Sequence, residues 1–327
     1  MWAYLLRRVL AGIIVLLVLS FGVFILVALS GNPLAALQAT PGISRATIAA
    51  AGAQLHLNEP LVDRYWGWLV GLLHGSFGYS YTGQPVGPQI AQRLLVTVKL
   101  VVPAVILSVL LGVIVGVISA VRQYKPVDHV STGLAYLFFS TPVFVLALLL
   151  KDFLAVDVNR AVGHTILFTV GESTPGITGA WNVFVDEVQH AVLPVITLTL
   201  VTYATWSRFQ RAAMLDVLNA DYIRLARAKG LSPRRVLFVH ALRNALIPVV
   251  TVVAIDFAAL IGGALVTEIV FSWDGMGQYL YNALTGAESP DVYAVSGWLM
   301  VAGTAVVVFN ILADLVYGLL DPRIRYA

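Results

Sequence analysis

The sequence predicts an all-α integral membrane protein with six transmembrane helices and a small extracytoplasmic lobe between helices 1 and 2. Three observations carry that expectation. The chain of 327 residues is 59% hydrophobic and only 11% charged, with a mean hydropathy of +0.87, whereas soluble domains carry about 25% charged residues. Six stretches approach or exceed the ~20 apolar residues that a helix needs to cross a bilayer. Lysine and arginine then fall unevenly on the two sides that those stretches define. The net charge of +3 is small and there is no cysteine. Nucleic-acid binding, disulfides, thiolate chemistry and cysteine metal sites are therefore set aside.

The first apolar stretch is Val9–Leu29, after a basic start. It exceeds the about 7–15 residues of a cleaved leader core, so it reads as a spanning helix, with a signal-anchor as the alternative. The others are Leu100–Val121, Val130–Leu150, Val188–Ser207, Leu246–Ile269 (interrupted by Asp256 and Glu268) and Val292–Leu315, with Asp314 near its end. Unpaired backbone groups are not tolerated in lipid, so these are helices. Three parts follow: 1–29, a lobe over 30–99, and a core over 100–327.

Within the lobe, ISRATIAAAGAQLHL reads as a short helix. An aromatic-rich helix follows in LNEPLVDRYWGWLVGLLHGSFGYSYTGQPVG, where Tyr65, Trp66 and Trp68 suit the headgroup belt better than a peptide-stacking surface. The segment Lys151–Glu187 is expected to be a loop with a local strand or turn around His164–Val170. Pro103, Pro142, Pro194 and Pro248 are expected to kink their helices. Gly112, Gly116, Gly262 and Gly263 allow close helix approach.

With the N-terminus inside, the inner segments hold fourteen of the twenty basic residues, including Arg323 and Arg325. Both termini are therefore expected in the cytoplasm. Eight of the fourteen crowd the connection over 208–245: Arg208, Arg211, Arg224, Arg227, Lys229, Arg234, Arg235 and Arg243.

That connection contains DYIRLARAKGLSPRRVLFVHALRNALIP, Asp221 to Pro248. Asp221–Gly230 reads as one helix, capped by Asn219 or Asp221 and ended by Gly230. Tyr222, Leu225, Ala226 and Lys229 share a face by spacing. Ser232-Pro233 reads as the cap and first-turn proline of a second helix. Such a lever suits a groove on a cytoplasmic partner, and its arginines equally suit anionic lipid; the pattern leaves the two even.

Asp256 lies inside a span, where a carboxylate costs roughly 2.5–3.5 kcal/mol to insert. It is expected on the pathway or at a subunit interface, with a structural helix contact as the alternative. Glu268 and Asp314 are expected to reach interfacial water. None of the six histidines forms a ligand pair, and no nucleophile motif supports an intramembrane hydrolase. A proton-coupled carrier using Asp256 lacks an obvious relay partner.

The connection resembles the coupling loop, the EAA-motif region, of ABC importer permeases, most closely those of the dipeptide/oligopeptide and nickel importers. The similarity runs from Arg208 through Met214–Leu218, DYIRLARAKGL and HALRNALIPVVTV. It extends to Tyr4–Arg8 (YLLRR), Gly31-Asn32-Pro33, LNEPLVDRYWGWL with GSFGYS, LPVITLTL and FSWDGMGQYLYNAL. Arg224, Leu225 and Ala226 stand where the general motif has Glu-Ala-Ala, Pro248 comes later than usual, and Asp274 stands where the branch commonly has proline.

The resemblance implies the type I importer permease fold and the first, B-type, permease subunit of a bacterial inner-membrane peptide importer. Nickel or a solute such as glutathione is the alternative cargo. It also implies a second homologous permease subunit, two cytoplasmic ATPase subunits that bind ATP and Mg²⁺, and an extracytoplasmic substrate-binding protein. No cofactor, catalytic residue or metal is implied for this chain, which has no Gly-x-x-x-x-Gly-Lys-Ser/Thr loop. Asp221, Tyr222, Arg224, Leu225, Ala226, Arg227, Lys229, Gly230 and Leu231 would then contact the ATPase, and Asp256 and Glu268 the pathway or the subunit interface.

Overall fold

The computed structural model describes residues 2–35, 38, 42–286 and 290–320, with side chains described from residue 6 to residue 316. The side chain of Tyr4 and all of Arg323 and Arg325 lie outside the described residues.

Helix α1 (Trp2–Leu29) leads into the lobe helices α2 (Arg45–Gln54) and α3 (Leu61–Leu73). The Ser44 side chain caps α2 by accepting the Thr47 amide at 3.1 Å. Helix α4 (Val86–Val121) then runs for 36 residues, about 54 Å at 1.5 Å per residue. It starts well before the apolar stretch at Leu100, so Arg93 and Lys99 ride on the spanning helix itself.

The third predicted span is two helices. Helix α5 (Pro126–Ser140) and helix α6 (Val143–Val162) meet at 107°. Pro142 has no N–H to continue the ladder, and the residue before a proline is pushed towards extended backbone; Thr141 has φ −81° and ψ 122°. Helix α6 widens to π geometry over Leu150–Val156. The first part of the expected 151–187 loop is therefore helical. Within the remainder, Phe168 stacks on His190 with ring centroids 4.0 Å apart, and no strand occurs among the described residues.

Helix α7 (Ala180–Leu218) is 39 residues long, extending beyond the predicted span at both ends. Helix α8 (Asp221–Ala228) is the short helix of the basic connection. Helix α9 (Pro233–Ile261) enters the membrane through a π stretch at Val236–Ala241. The predicted fifth span breaks after Ile261, and α10 (Leu265–Phe271) and α11 (Met276–Thr285) turn back onto the bundle. Gly263 makes the break possible: its φ is +125°, and a Cβ there would overlap the Gly277 amide. Helix α12 (Val292–Leu320) closes the described chain.

Packing follows the small residues. A Cβ on Gly116 of α4 would sit 2.7 Å from Gln210 Cβ and the Ser207 carbonyl of α7, so only glycine lets these helices approach so closely. Helix α1 lies antiparallel against α12, with Arg8 beside Asp314, Gly12 beside Val307 and Phe24 beside Tyr293. Asp314 is thus paired with Arg8 at 3.1 Å. At one end of the bundle, Phe24, Tyr65, Trp68, Met276, Tyr279 and Tyr293 form an apolar cluster that ties the lobe to α1, α11 and α12. The opposite end carries the basic connection.

Candidate functional site

Only Asn219 and Ala220 separate α7 from α8. Neither expected side-chain cap forms. Ala220 occupies the N-cap position, and the Asn219 side chain donates to the Leu215 carbonyl at 3.0 Å instead. The other end is capped as expected from Gly230. Its φ is +77°, its N–H donates to Arg227 O at 2.9 Å, and the Leu231 N–H reaches back to Ala226 O. These two bonds define a Schellman stop, and Ser232-Pro233 starts α9 directly after it.

Helix α8 has two faces. Ile223 and Ala226 are buried in a cluster with Val117 of α4, Met214 of α7, and Val236, Ala241 and Ala245 of α9, with Leu231 packed alongside. Ala226 therefore belongs to the seating face. Tyr222 and Leu225 point outwards at 44% and 55% exposure. Sequence spacing placed Ala226 with that pair and overlooked Ile223, because the face that packs inwards is chosen by α4, α7 and α9. Asn244 of α9 donates to the Tyr222 hydroxyl at 3.0 Å, so the outward ring is braced from below.

Around that apolar pair, Arg224, Arg227, Lys229, Arg234 and Arg235 are all exposed. Asp221 is exposed too and pairs with Arg224 at 3.3 Å, an ion pair of little worth to stability. Two other arginines of the connection act within the chain. Arg208 lies over the rings of Tyr136 and Phe139, at 4.5 and 4.7 Å. Arg211 grips the buried Asp128 with two nitrogens, at 2.8 and 2.9 Å. Asp128 also accepts from Ser119 and from the Tyr124 amide. This cluster locks the start of α5 and the end of α4 to α7. Its sequence signal was an acid two residues past a helix-starting proline, inside an otherwise basic segment.

The two intramembrane acids part company. Trp206 donates its indole N–H to Asp256 at 2.6 Å, giving that carboxylate a partner on α7. Glu268 is completely buried and does not reach interfacial water. It accepts the amides of Gly277 at 2.8 Å and Gln278 at 3.0 Å, while Thr97 takes the Met276 amide at 2.8 Å. Between them they satisfy the free N–H groups that open α11. Asp274 pairs with Arg93 at the turn where the peptide-importer branch commonly has proline.

At the far end a cavity of about 320 Å³ lies between α4 and α7, walled by Pro103, Phe184, Val188 and Trp273. Lys99 and Glu187 pair at its edge at 2.6 Å. No cluster of metal-ligating side chains occurs among the described residues.

Residues 1–101 match the N-terminal membrane component of binding-protein-dependent transport systems, and residues 112–326 match the inner membrane component of those systems. The oligopeptide transport system permease protein OppB of Mycobacterium tuberculosis (strain ATCC 25618 / H37Rv) is 41% identical over 99% of both chains. The dipeptide transport system permease protein DppB of Escherichia coli (strain K12) is 35% identical over 90% of both. The oligopeptide permease AppB of Bacillus subtilis (strain 168) is also 35% identical, over the whole of both. Among solved structures, the inward-facing MetNI methionine ABC transporter superposes with a TM-score of 0.54 at 16% identity, over 71% of this chain and 96% of that one. That likeness shows the fold alone. The chain is a multi-pass membrane protein of the family of inner membrane components of binding-protein-dependent transport systems.

Proposed function

We propose that the chain is one of two homologous permease subunits of an ATP-driven importer of short peptides in a bacterial cell membrane. The relatives named for oligopeptide and dipeptide transport support a peptide cargo over nickel or glutathione. Its own role is transport. Two cytoplasmic ATPase subunits bind ATP and Mg²⁺, and an extracytoplasmic binding protein delivers peptide to the opposite face. The crowding of basic residues at the α8 end supports placing that end, with both termini, in the cytoplasm.

The observation that carries this reading is the two-sided α8. Outside, Tyr222 and Leu225 form an apolar knob ringed by Arg224, Arg227 and Lys229, with Asp221 at its start. Inside, Ile223 and Ala226 sit among residues of three spanning helices. When ATP closes the ATPase pair, a displacement of the knob is delivered to α4, α7 and α9 together, because one packed cluster joins them. Such a push shifts the bundle only if the knob makes different contacts in the two states. Gly230 and Leu231 hold the stop that keeps this lever rigid. In this reading Asp256 acts at the pathway side or subunit interface, held by Trp206 of α7, whereas Glu268, fully buried within the chain, supports the pathway wall only by capping α11.

Peptide uptake into proteoliposomes, with the ATPase and binding-protein subunits present, tests the assignment. Uptake is expected to require ATP and all of the subunits. Uptake that continues without the ATPase subunits and follows a proton gradient rejects it. Replacing Gly230 with Val tests the lever: a β-branched residue resists a positive φ, and ATP-coupled uptake is expected to be lost. Full coupling in that variant removes Gly230 from the mechanism.

A further inference from the structure

We propose that α3 of the lobe is an interfacial helix lying in the plane of the bilayer, with its apolar stripe seated among the acyl chains of the leaflet opposite α8. This assignment is independent of the cargo and goes beyond the transport reading.

Three differently dressed faces run along α3. Tyr65 and Trp68 are buried against α1, with Phe24 between them and Tyr293. Val62, Trp66, Val70 and Leu73 are exposed at 58%, 63%, 41% and 81%. At 3.6 residues per turn those four positions fall within an arc of about 80°. Just past that stripe, exposed Asp63 lies about 20° beyond Val70 and exposed Gly67 about 60° beyond it. A helix with a protein face, an uncharged apolar face and an exposed acid at the border of that face fits a boundary between hydrocarbon and water.

Depth decides where that boundary is. The Tyr65 hydroxyl bonds to Ser20 Oγ at 2.9 Å and to the Leu17 carbonyl at 3.3 Å. Those residues lie nine and twelve positions before Leu29, the end of α1, a drop of about 14 and 18 Å along the helix. A tyrosine side chain covers only part of that drop, so the α3 backbone lies below the outer end of α1. At that level α1 exposes Val18 and Phe21, and Phe21 meets Tyr65 edge-on at 5.1 Å. The exposed apolar surface of the first span therefore continues onto α3 where Phe21 meets Tyr65. That continuity selects lipid as the occupant. The sequence pointed to Tyr65, Trp66 and Trp68 together as headgroup anchors; the fold moves Tyr65 and Trp68 into the core and leaves Trp66 with the aliphatic stripe.

This chain has no native cysteine, so each introduced cysteine is its single labelling site once the thiols of the partner subunits are removed or blocked. W66C, V70C, L73C and G67C are each spin-labelled in the full complex, in nanodiscs of phosphatidylethanolamine and phosphatidylglycerol. Collision with oxygen, which partitions into lipid, is compared with collision with a water-soluble nickel chelate. Labels at 66, 70 and 73 are expected to meet oxygen several-fold more often than the chelate, and the label at 67 is expected to show the reverse preference. Chelate access at 66, 70 and 73 equal to that at 67 overturns the proposal in favour of a water-facing lobe. Exclusion of both probes overturns it in favour of a protein partner. Any one of the three stripe labels suffices if another variant fails to fold. The readout needs no transport, so it stands or falls separately from the cargo assignment.

Discussion

Glu268 accepts the amide of Gly277 at 2.8 Å, and that contact fastens the start of α11 to α10. The same carboxylate takes the Gln278 amide and the Thr97 hydroxyl. A buried acid thus performs for α11 the capping that the N-cap Gly275, having no side chain, does not perform. Glu268→Ala leaves the buried Gly277 amide unpaired, at about 1–3 kcal/mol, and the half-buried Gln278 amide without its acceptor at a smaller cost. Glu268→Gln retains one acceptor and is expected to lose less. Thermal unfolding of the purified subunit in detergent orders the variants as wild type, Gln, then Ala; equal stability of all three removes the capping role.

Asp128 and Arg211 form the corresponding lock at the other end. Asp128→Asn removes the countercharge of a half-buried arginine, with an expected loss on the order of 2 kcal/mol. Adding Arg211→Met to that variant should recover part of the loss, since an apolar side chain no longer needs a partner there. A double-mutant cycle on unfolding midpoints measures the coupling, and strict additivity would show that the two residues act independently.

The two faces of α8 separate by experiment. Tyr222→Ala and Leu225→Ala remove exposed side chains, so the isolated subunit should keep its stability. Each should weaken ATPase association by about 2 kcal/mol if it is a central contact. Ile223→Ala acts the other way, destabilising the subunit by about 2–5 kcal/mol through a cavity in the buried cluster. Pull-down affinity and melting temperature, read together, distinguish the sets; a Tyr222 variant that melts early and binds normally contradicts the division.

Gly116 controls the distance between α4 and α7. Gly116→Ala puts a methyl group against Gln210 and the Ser207 carbonyl, and overpacking of this kind costs about 1–3 kcal/mol. Gly22→Ala, where nothing lies within 4 Å, is the matched control and should be close to neutral. Unchanged melting of the Gly116 variant would falsify the close-contact role.

Much of this was local enough to read from residues alone. Runs of apolar side chains placed the spans, because lipid leaves helix as the available backbone state. Gly230 placed the stop after α8, because a positive φ selects glycine, and Ser232-Pro233 placed the next start. Tertiary structure decided what pairing across the chain controls. Asp128 and Arg211 are 83 positions apart, and Glu268 and Thr97 are 171 apart; a local pattern can single out Asp128, but none names the partner in either pair. The break after Ile261 depends on a second backbone reaching Gly263, whereas the bend at Pro142 follows from the proline itself. The inward face of α8 was settled by three neighbouring helices, which bury Ile223 and leave Tyr222 and Leu225 outside. Sequence therefore determined which segments cross the membrane and where α8 stops, while α4 and α7 run on beyond their predicted spans. The fold determined which polar groups meet and which faces remain exposed, since contact energies depend on neighbours that periodicity cannot name.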